Sequence, residues 1–343
     1  MPAENRPLRI AIVGASSLRG KELKLVVEER DFPGADISLL DTSLPPGTLA
    51  EAAGEVTFVK PMEPDSFAGA DIVFFAGTGE EARANWKLAH DSGASIIDLT
   101  GALESVAGAA AWIPEMETLL PPPEPKGGRP APQKIYSSPP PAVLIACALA
   151  AALQDSKPSR LAIVFFPPVS ERDQRGVDEL EKQTADLLML HPFSQSVFDT
   201  QIAFNLLAGY GEASRPSLVE MRSEIAKRIA AYLSGRALIP AVQLIQAPVF
   251  YGYAFSAYAE FAAPLDAAKI EKALVGVGIH LAAKNDPSPT NVSVAGEERI
   301  QLARVERDAN VPAGIWLWGV ADNLRLAVVN AVRIAEELLA PKI

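Results

Sequence analysis

Runs of branched apolar residues alternate with amphipathic stretches along the first third of the chain, and this alternation sets the expected fold class. Residues 8–13 (LRIAIV) form an apolar run closed by Gly14, and residues 20–30 then carry Leu23, Val26 and Val27 at helical spacing. That is a strand, a turn and a helix. Further strand runs lie at 37–40, 71–75 (DIVFF) and 95–98 (SIID), the last two separated by an amphipathic segment over 80–90. Alternating strands and helices predict an open parallel sheet of the Rossmann type.

Residues 134–153 (KIYSSPPPAVLIACALAAAL) read as a short strand, a tight turn and a helix apolar on every side. Many α/β enzymes present a nucleophile at such a turn. Here residues 137–142 hold two serines and three prolines, and the only cysteine, Cys147, lies six residues past Pro141. That places the thiol about 9 Å further along the helix. Beyond it come a strand at 161–166, a helix with Val177, Leu180, Thr184, Leu187 and Leu188 on one face, and a helix at 218–233. Strands are predicted at 242–246, 254–261, 300–305 and 315–320, and a last helix at 322–339 with Asp322 as its N-cap. This middle region predicts an α+β arrangement with a mainly antiparallel sheet. The segment 121–133 (PPPEPKGGRPAPQ) predicts an exposed loop.

Composition narrows the function. A net charge of −11, from 42 acidic and 31 basic residues in 343, opposes binding to nucleic acid and to anionic membranes. The longest apolar run, 142–153, spans about 18 Å as a helix, short of a bilayer core. No signal-peptide pattern opens the chain, so a cytoplasmic location is expected. His90, His191 and His280 stand apart, without a second ligand at metal-binding spacing, and no metal is expected. Cys147 has no adjacent cation to activate it, and Glu179 and Glu181 are a common surface pattern.

Gly14-Ala15-Ser16-Ser17-Leu18-Arg19-Gly20 joins the first strand to its helix, where backbone amides would face an anion. Serines stand where the dinucleotide pattern wants a further glycine, so phosphate binding and a plain turn are weighed about equally. Asp41, at the end of the second strand, suits a ribose 2′-hydroxyl and repels a 2′-phosphate, favouring NAD over NADP; a solvated loop aspartate is the equal alternative.

Several strings resemble the aspartate-semialdehyde dehydrogenase family, nearest its USG-1-like branch, over nearly the whole chain. The opening GATGxVG is similar to 14–20, ELxxQT to 179–184, IAFN to 202–205, and DNLRxxxxxNAVxIAE to 322–336. The resemblance implies a Rossmann-type nucleotide domain over 1–138 and 322–343 and a dimerisation and substrate domain over 139–321. It implies a homodimer formed through that middle domain, and a cofactor site of Gly14, Ser16, Ser17, Leu18, Gly20, Asp41, Ala76 and Gly77. The family reaction is phosphorylating oxidation of aspartate semialdehyde with NADP, through a cysteine thioester, in amino-acid biosynthesis. Aligning IYSSPPPAV on IIANPNCST puts Pro141 at the nucleophile, and aligning QAPVFYGY on RVPVxxGH puts Gln246 at the substrate arginine and Tyr253 at the acid/base histidine. Pro167 falls on the family glutamine and Glu104 on the phosphate-site arginine, while the residues that hold a 2′-phosphate are absent around Asp41. These replacements imply lost catalysis with dimerisation and NAD(H) binding retained. The alternatives are an NAD-dependent oxidoreductase that uses Tyr253 as proton donor and no thioester, and a dimerisation scaffold without a nucleotide site.

Overall fold

The apolar runs of the first third become short strands with both faces covered. The computed structural model describes residues 7–30, 32, 35–42, 49–52, 55–122 and 134–340. The chain divides into two units, Met1–Pro114 with Pro125–Pro140 and Ala327–Ile343, and Glu115–Glu124 with Pro141–Leu326. In the first unit β1 (Arg9–Val13), α1 (Leu18–Glu29) and β2 (Asp36–Leu40) are followed by a hairpin, β3 (Leu49–Ala52) and β4 (Glu55–Phe58). Then come β5 (Ile72–Phe75), α2 (Gly79–Asp91), β6 (Ser95–Asp98), β7 (Ala109–Ala111) and, after α3 (Pro114–Glu117), most of which belongs to the second unit, β8 (Ile135–Ser137).

The six strands β2-β1-β5-β6-β8-β7 pair in parallel throughout. Successive residues serve opposite faces. Ile10, Ile12, Phe74 and Ile97 pack with Leu23, Val26 and Val27 of α1 and with Val328, Val332 and Ala335 of the last helix, Asn323–Leu339. Ala11, Val13, Val73, Phe75 and Ile96 pack with Ala82 and Ala89 of α2. Helices on both faces explain why these strands read as unbroken apolar runs.

The second unit holds α4 (Pro141–Leu153), β9 (Arg160–Phe166), α5 (Asp173–Leu188), α6 (Leu218–Leu233), β10 (Ala241–Leu244) and β11 (Tyr253–Glu260). It continues with α7 (Ala267–Gly276), β12 (His280–Leu281), β13 (Gln301–Leu302), β14 (Glu306–Arg307), β15 (Gly314–Ala321) and the start of α8 (Asn323–Leu339). Its sheet runs β10-β9-β11-β15-β13-β12, with β14 also on β15. The pairings among β9, β11, β15, β13 and β14 are antiparallel; β10 on β9 and β12 on β13 are parallel. Every residue of α4 is buried, as its composition requires. Asp322 caps α8 by accepting from the amides of Leu324 and Arg325, both at 3.0 Å.

Two expectations change in detail, and a third is untested. The strand over 300–305 shortens to Gln301–Leu302, with a separate Glu306–Arg307. Of the predicted apolar face of α5, Val177 and Leu180 are buried but Leu188 is 73% exposed, while Glu179 and Gln183 are buried instead. The proline-rich loop lies outside the described residues from 123 to 133.

Candidate functional site

Two groups of side chains carry the candidate chemistry, one in each unit. In the first, Gly14 has φ +79° and its amide donates to Leu40 O at 2.9 Å. A Cβ on Gly14 would stand 2.2 Å from the Gly77 Cα, and one on Gly20 would stand 2.1 Å from Gly14 O. These glycines are demanded by close approach of strand, loop and helix, independently of any ligand. Ser17 caps α1: its Oγ accepts from Gly20 N at 2.9 Å and donates to Gly14 O and Ala76 O. The Ser16 amide and hydroxyl both donate to Asp41 Oδ2, at 3.0 and 2.5 Å, and Asp41 is buried. Gly14, Ser16, Ser17, Gly20, Asp41, Ala76 and Gly77 therefore meet in one place, and Leu18 opens the helix beside them.

Further residues at this place had no signal in the dinucleotide pattern. Arg19 reaches from the first turn of α1 to donate to Leu99 O at 2.7 Å and Gly77 O at 3.0 Å. Glu81 accepts from the Thr78 amide at 2.8 Å, closing a capping box at the start of α2, and also accepts from the Thr42 hydroxyl. Thr78-x-x-Glu81 was readable as a cap; the reach of Arg19 to loop carbonyls was not.

In the second unit Gln246 is buried at 1% exposure, and its carboxamide is satisfied from within. It donates to Pro167 O at 2.7 Å and Ala247 O at 2.9 Å and accepts from the Tyr210 hydroxyl at 2.5 Å. The Arg172 guanidinium lies over the Tyr210 ring at 5.1 Å and donates to the carbonyls of Arg215 and Pro216. Burial pushes Tyr210 up to about 12, against the pull of Arg172. Tyr253 is fully buried, edge-on to Phe165 at 5.7 Å. Burial, then the nearby Glu171 carboxylate and Tyr210, hold its phenol well above the ordinary 10.0. Asn323 ties the neighbourhood together, donating to Glu171 Oε1 at 3.0 Å and accepting from the Gly252 amide at 3.1 Å.

Residues 9–119 match the model of the semialdehyde dehydrogenase NAD binding domain, and residues 150–326 that of the semialdehyde dehydrogenase dimerisation domain. A USG-1 protein homolog from Pseudomonas aeruginosa is 34% identical over 342 residues, covering 98% of each chain. The chain belongs to the aspartate-semialdehyde dehydrogenase family. The solved structure of a probable aspartate-semialdehyde dehydrogenase from Pseudomonas aeruginosa matches with a TM-score of 0.84 at 32% identity, over 98% of this chain and 99% of that one. Aspartate semialdehyde dehydrogenase II from Vibrio cholerae matches with a TM-score of 0.83 at 25% identity, over 98% and 100%.

At and beside the position where the resemblance expects a nucleophile, the side chains are buried. Pro141 is the first residue of α4 and is buried. Ser137 donates to Glu104 at 3.2 Å; buried Ser138 donates to Ala327 O at 3.0 Å and accepts from Asn330 at 2.9 Å. Cys147 is fully buried in α4, and burial raises its thiol pKa well above the ordinary 9.0. All three histidines are exposed, and among the described residues no group of three or more His, Cys, Asp or Glu is placed to hold a metal. Pro167, Gln246 and Tyr253 share one neighbourhood through Tyr210. Arg172, Tyr210 and Asn323 lacked any spacing signal, although the DNLR string contains Asn323.

Proposed function

We propose that this member of the aspartate-semialdehyde dehydrogenase family has lost the family reaction and serves as a dimeric, nucleotide-binding cytoplasmic protein. The observation that carries the reading is the residue at the expected nucleophile, Pro141, which offers no thiol, hydroxyl or amine. Thioester chemistry needs an activated nucleophile and a base near neutral pH. Ser137, Ser138 and Cys147 are buried, and the Tyr253 phenol is held protonated. The neutral Gln246, its polar atoms already engaged, supplies no charge for a substrate carboxylate. An oxidoreductase that draws a proton from Tyr253 is disfavoured by the same burial, which makes the phenol a weaker acid.

For the nucleotide, the Gly14–Gly20 turn and the buried Asp41 support NAD over NADP, because a carboxylate there would repel a 2′-phosphate. For the dimer, one face of the second unit's sheet aligns Ala162, Tyr258 and Trp316 in one row and Val164, Ser256 and Trp318 in the next. Trp316 and Trp318 remain 42% and 38% exposed, an aromatic face suited to a second copy. Among the described residues no helix is long and apolar enough to cross a membrane. The net charge of −11 argues against nucleic acid.

The test is phosphate-dependent oxidation of aspartate semialdehyde by the purified chain with NAD or NADP. No turnover is expected with either. Turnover that is abolished by Tyr253→Phe, with self-association intact, overturns the reading.

A further inference from the structure

We infer that Arg19 restricts the crevice of the first unit to a ligand of nucleoside diphosphate size, shutting out the second nucleotide of a dinucleotide. The inference rests on the nucleotide reading above and narrows its ligand. In a doubly wound sheet a dinucleotide lies across the carboxyl ends of the strands, with one nucleotide on each side of the point where strand order reverses. In this sheet the reversal falls between β1 and β5, with β2 on one side and β5 and β6 on the other. The first half of a ligand therefore belongs beside β1 and β2, where the Gly14–Gly20 turn and Asp41 lie. The second half has to pass over the carboxyl ends of β5 and β6, and the chain leaves those ends through Gly77 and Leu99.

Arg19 spans those two exits. Its two terminal nitrogens are tied to Leu99 O at 2.7 Å and to Gly77 O at 3.0 Å, so one planar group bridges the ends of both strands. A planar guanidinium fixed at two points is a rigid strap. Helix electrostatics do not account for it: a cation in the first turn of α1 opposes the helix dipole. The charge also discriminates in chemistry. It attracts the terminal phosphate of a nucleoside diphosphate and repels the cationic ring of oxidised nicotinamide.

Calorimetric titration of the full chain with ADP, NAD and NADP tests this. The expected result is that ADP binds at least as tightly as NAD, and that Arg19→Val shifts the ADP to NAD preference toward NAD by about tenfold. NAD binding tenfold or more tighter than ADP to the unaltered chain overturns the inference and leaves the nucleotide reading intact. Absence of binding by both overturns the two together. The comparison on the unaltered chain decides the matter even if the valine variant folds poorly.

Discussion

Replacing Gln183 with leucine tests whether the ELxxQT string survives for folding reasons. Gln183 is fully buried; its Oε1 accepts from the amides of Ile202 at 2.8 Å and Ala203 at 3.2 Å, and its Nε2 donates to Ser194 O at 3.0 Å and Thr200 O at 3.2 Å. Glu179, one turn earlier, accepts from Ser196 Oγ, Val197 N and Phe198 N at 2.9, 2.6 and 3.2 Å. Together the two side chains staple the loop over 194–203 to α5. Leucine keeps the bulk of Gln183 but leaves two amides of fully buried residues without an acceptor, at about 1–3 kcal/mol each. Ser194 is exposed and Thr200 half-buried, so water can replace the two lost donations at small cost. The expected cost is about 2–6 kcal/mol, a large share of the roughly 5–15 kcal/mol that holds a domain together. Urea unfolding followed by circular dichroism measures it, with exposed Glu181→Ala as the control on the same helix, expected within about 0.5 kcal/mol. A Gln183→Leu cost below about 1 kcal/mol would refute the staple.

Stability should fall at alkaline pH. Burial raises Cys147 above 9.0 and Tyr210 from 10.0 to about 12. The unfolded chain gives up these protons first, so stability is full below the unfolded pKa and drops by about 1.4 kcal/mol per pH unit per group above it. The decline should begin near pH 9 and steepen between 10 and 12; a flat unfolding profile from pH 9 to 11 contradicts it. Pro141→Cys alone should not restore semialdehyde oxidation in a coupled spectrophotometric assay, because Tyr253 and Gln246 still supply neither base nor cation. Asp41→Ser should raise NADP affinity relative to NAD by about tenfold in calorimetry, and an unchanged ratio would dismiss Asp41 as the discriminating residue. Trp316→Glu with Trp318→Glu should convert the proposed dimer to monomer in light scattering, since both indoles lie exposed on the sheet face.

The parallel sheet was legible because both its faces are buried, which turns each strand into an unbroken apolar run. The two-residue strands His280–Leu281 and Glu306–Arg307 were not, since two residues carry no period. Nor was α7 predicted, although Asp266 caps it and its buried Ile270 and Leu274 stand one turn apart. On α5 the apolar pattern pointed to Leu188, but the buried positions are Glu179 and Gln183, because the loop packed there brings amides that polar side chains must satisfy. The glycine turn and Asp41 were readable from spacing. Arg19, Tyr210 and Arg172 were not, because their partners are carbonyls and rings distant in sequence, brought close only by tertiary structure.

The strings that match the family hold the fold. Asn330 donates to Trp112 O at 3.0 Å and to Ser138 Oγ at 2.9 Å, pinning the last helix to its sheet; Asp322 caps that helix, and Glu179 and Gln183 staple a loop. Each would be costly to lose whether or not a reaction occurs. Pro141 is the opposite case. It is the first residue of α4, where a helix has no use for an amide donor and where the fixed φ of proline already suits the turn. Proline there costs the fold nothing, yet it removes any reactive group from the residue at which the family resemblance expects one. Persistence of the folding strings is thus no argument for activity, because folding alone would preserve them, and the position that would report activity is one the fold leaves free to change.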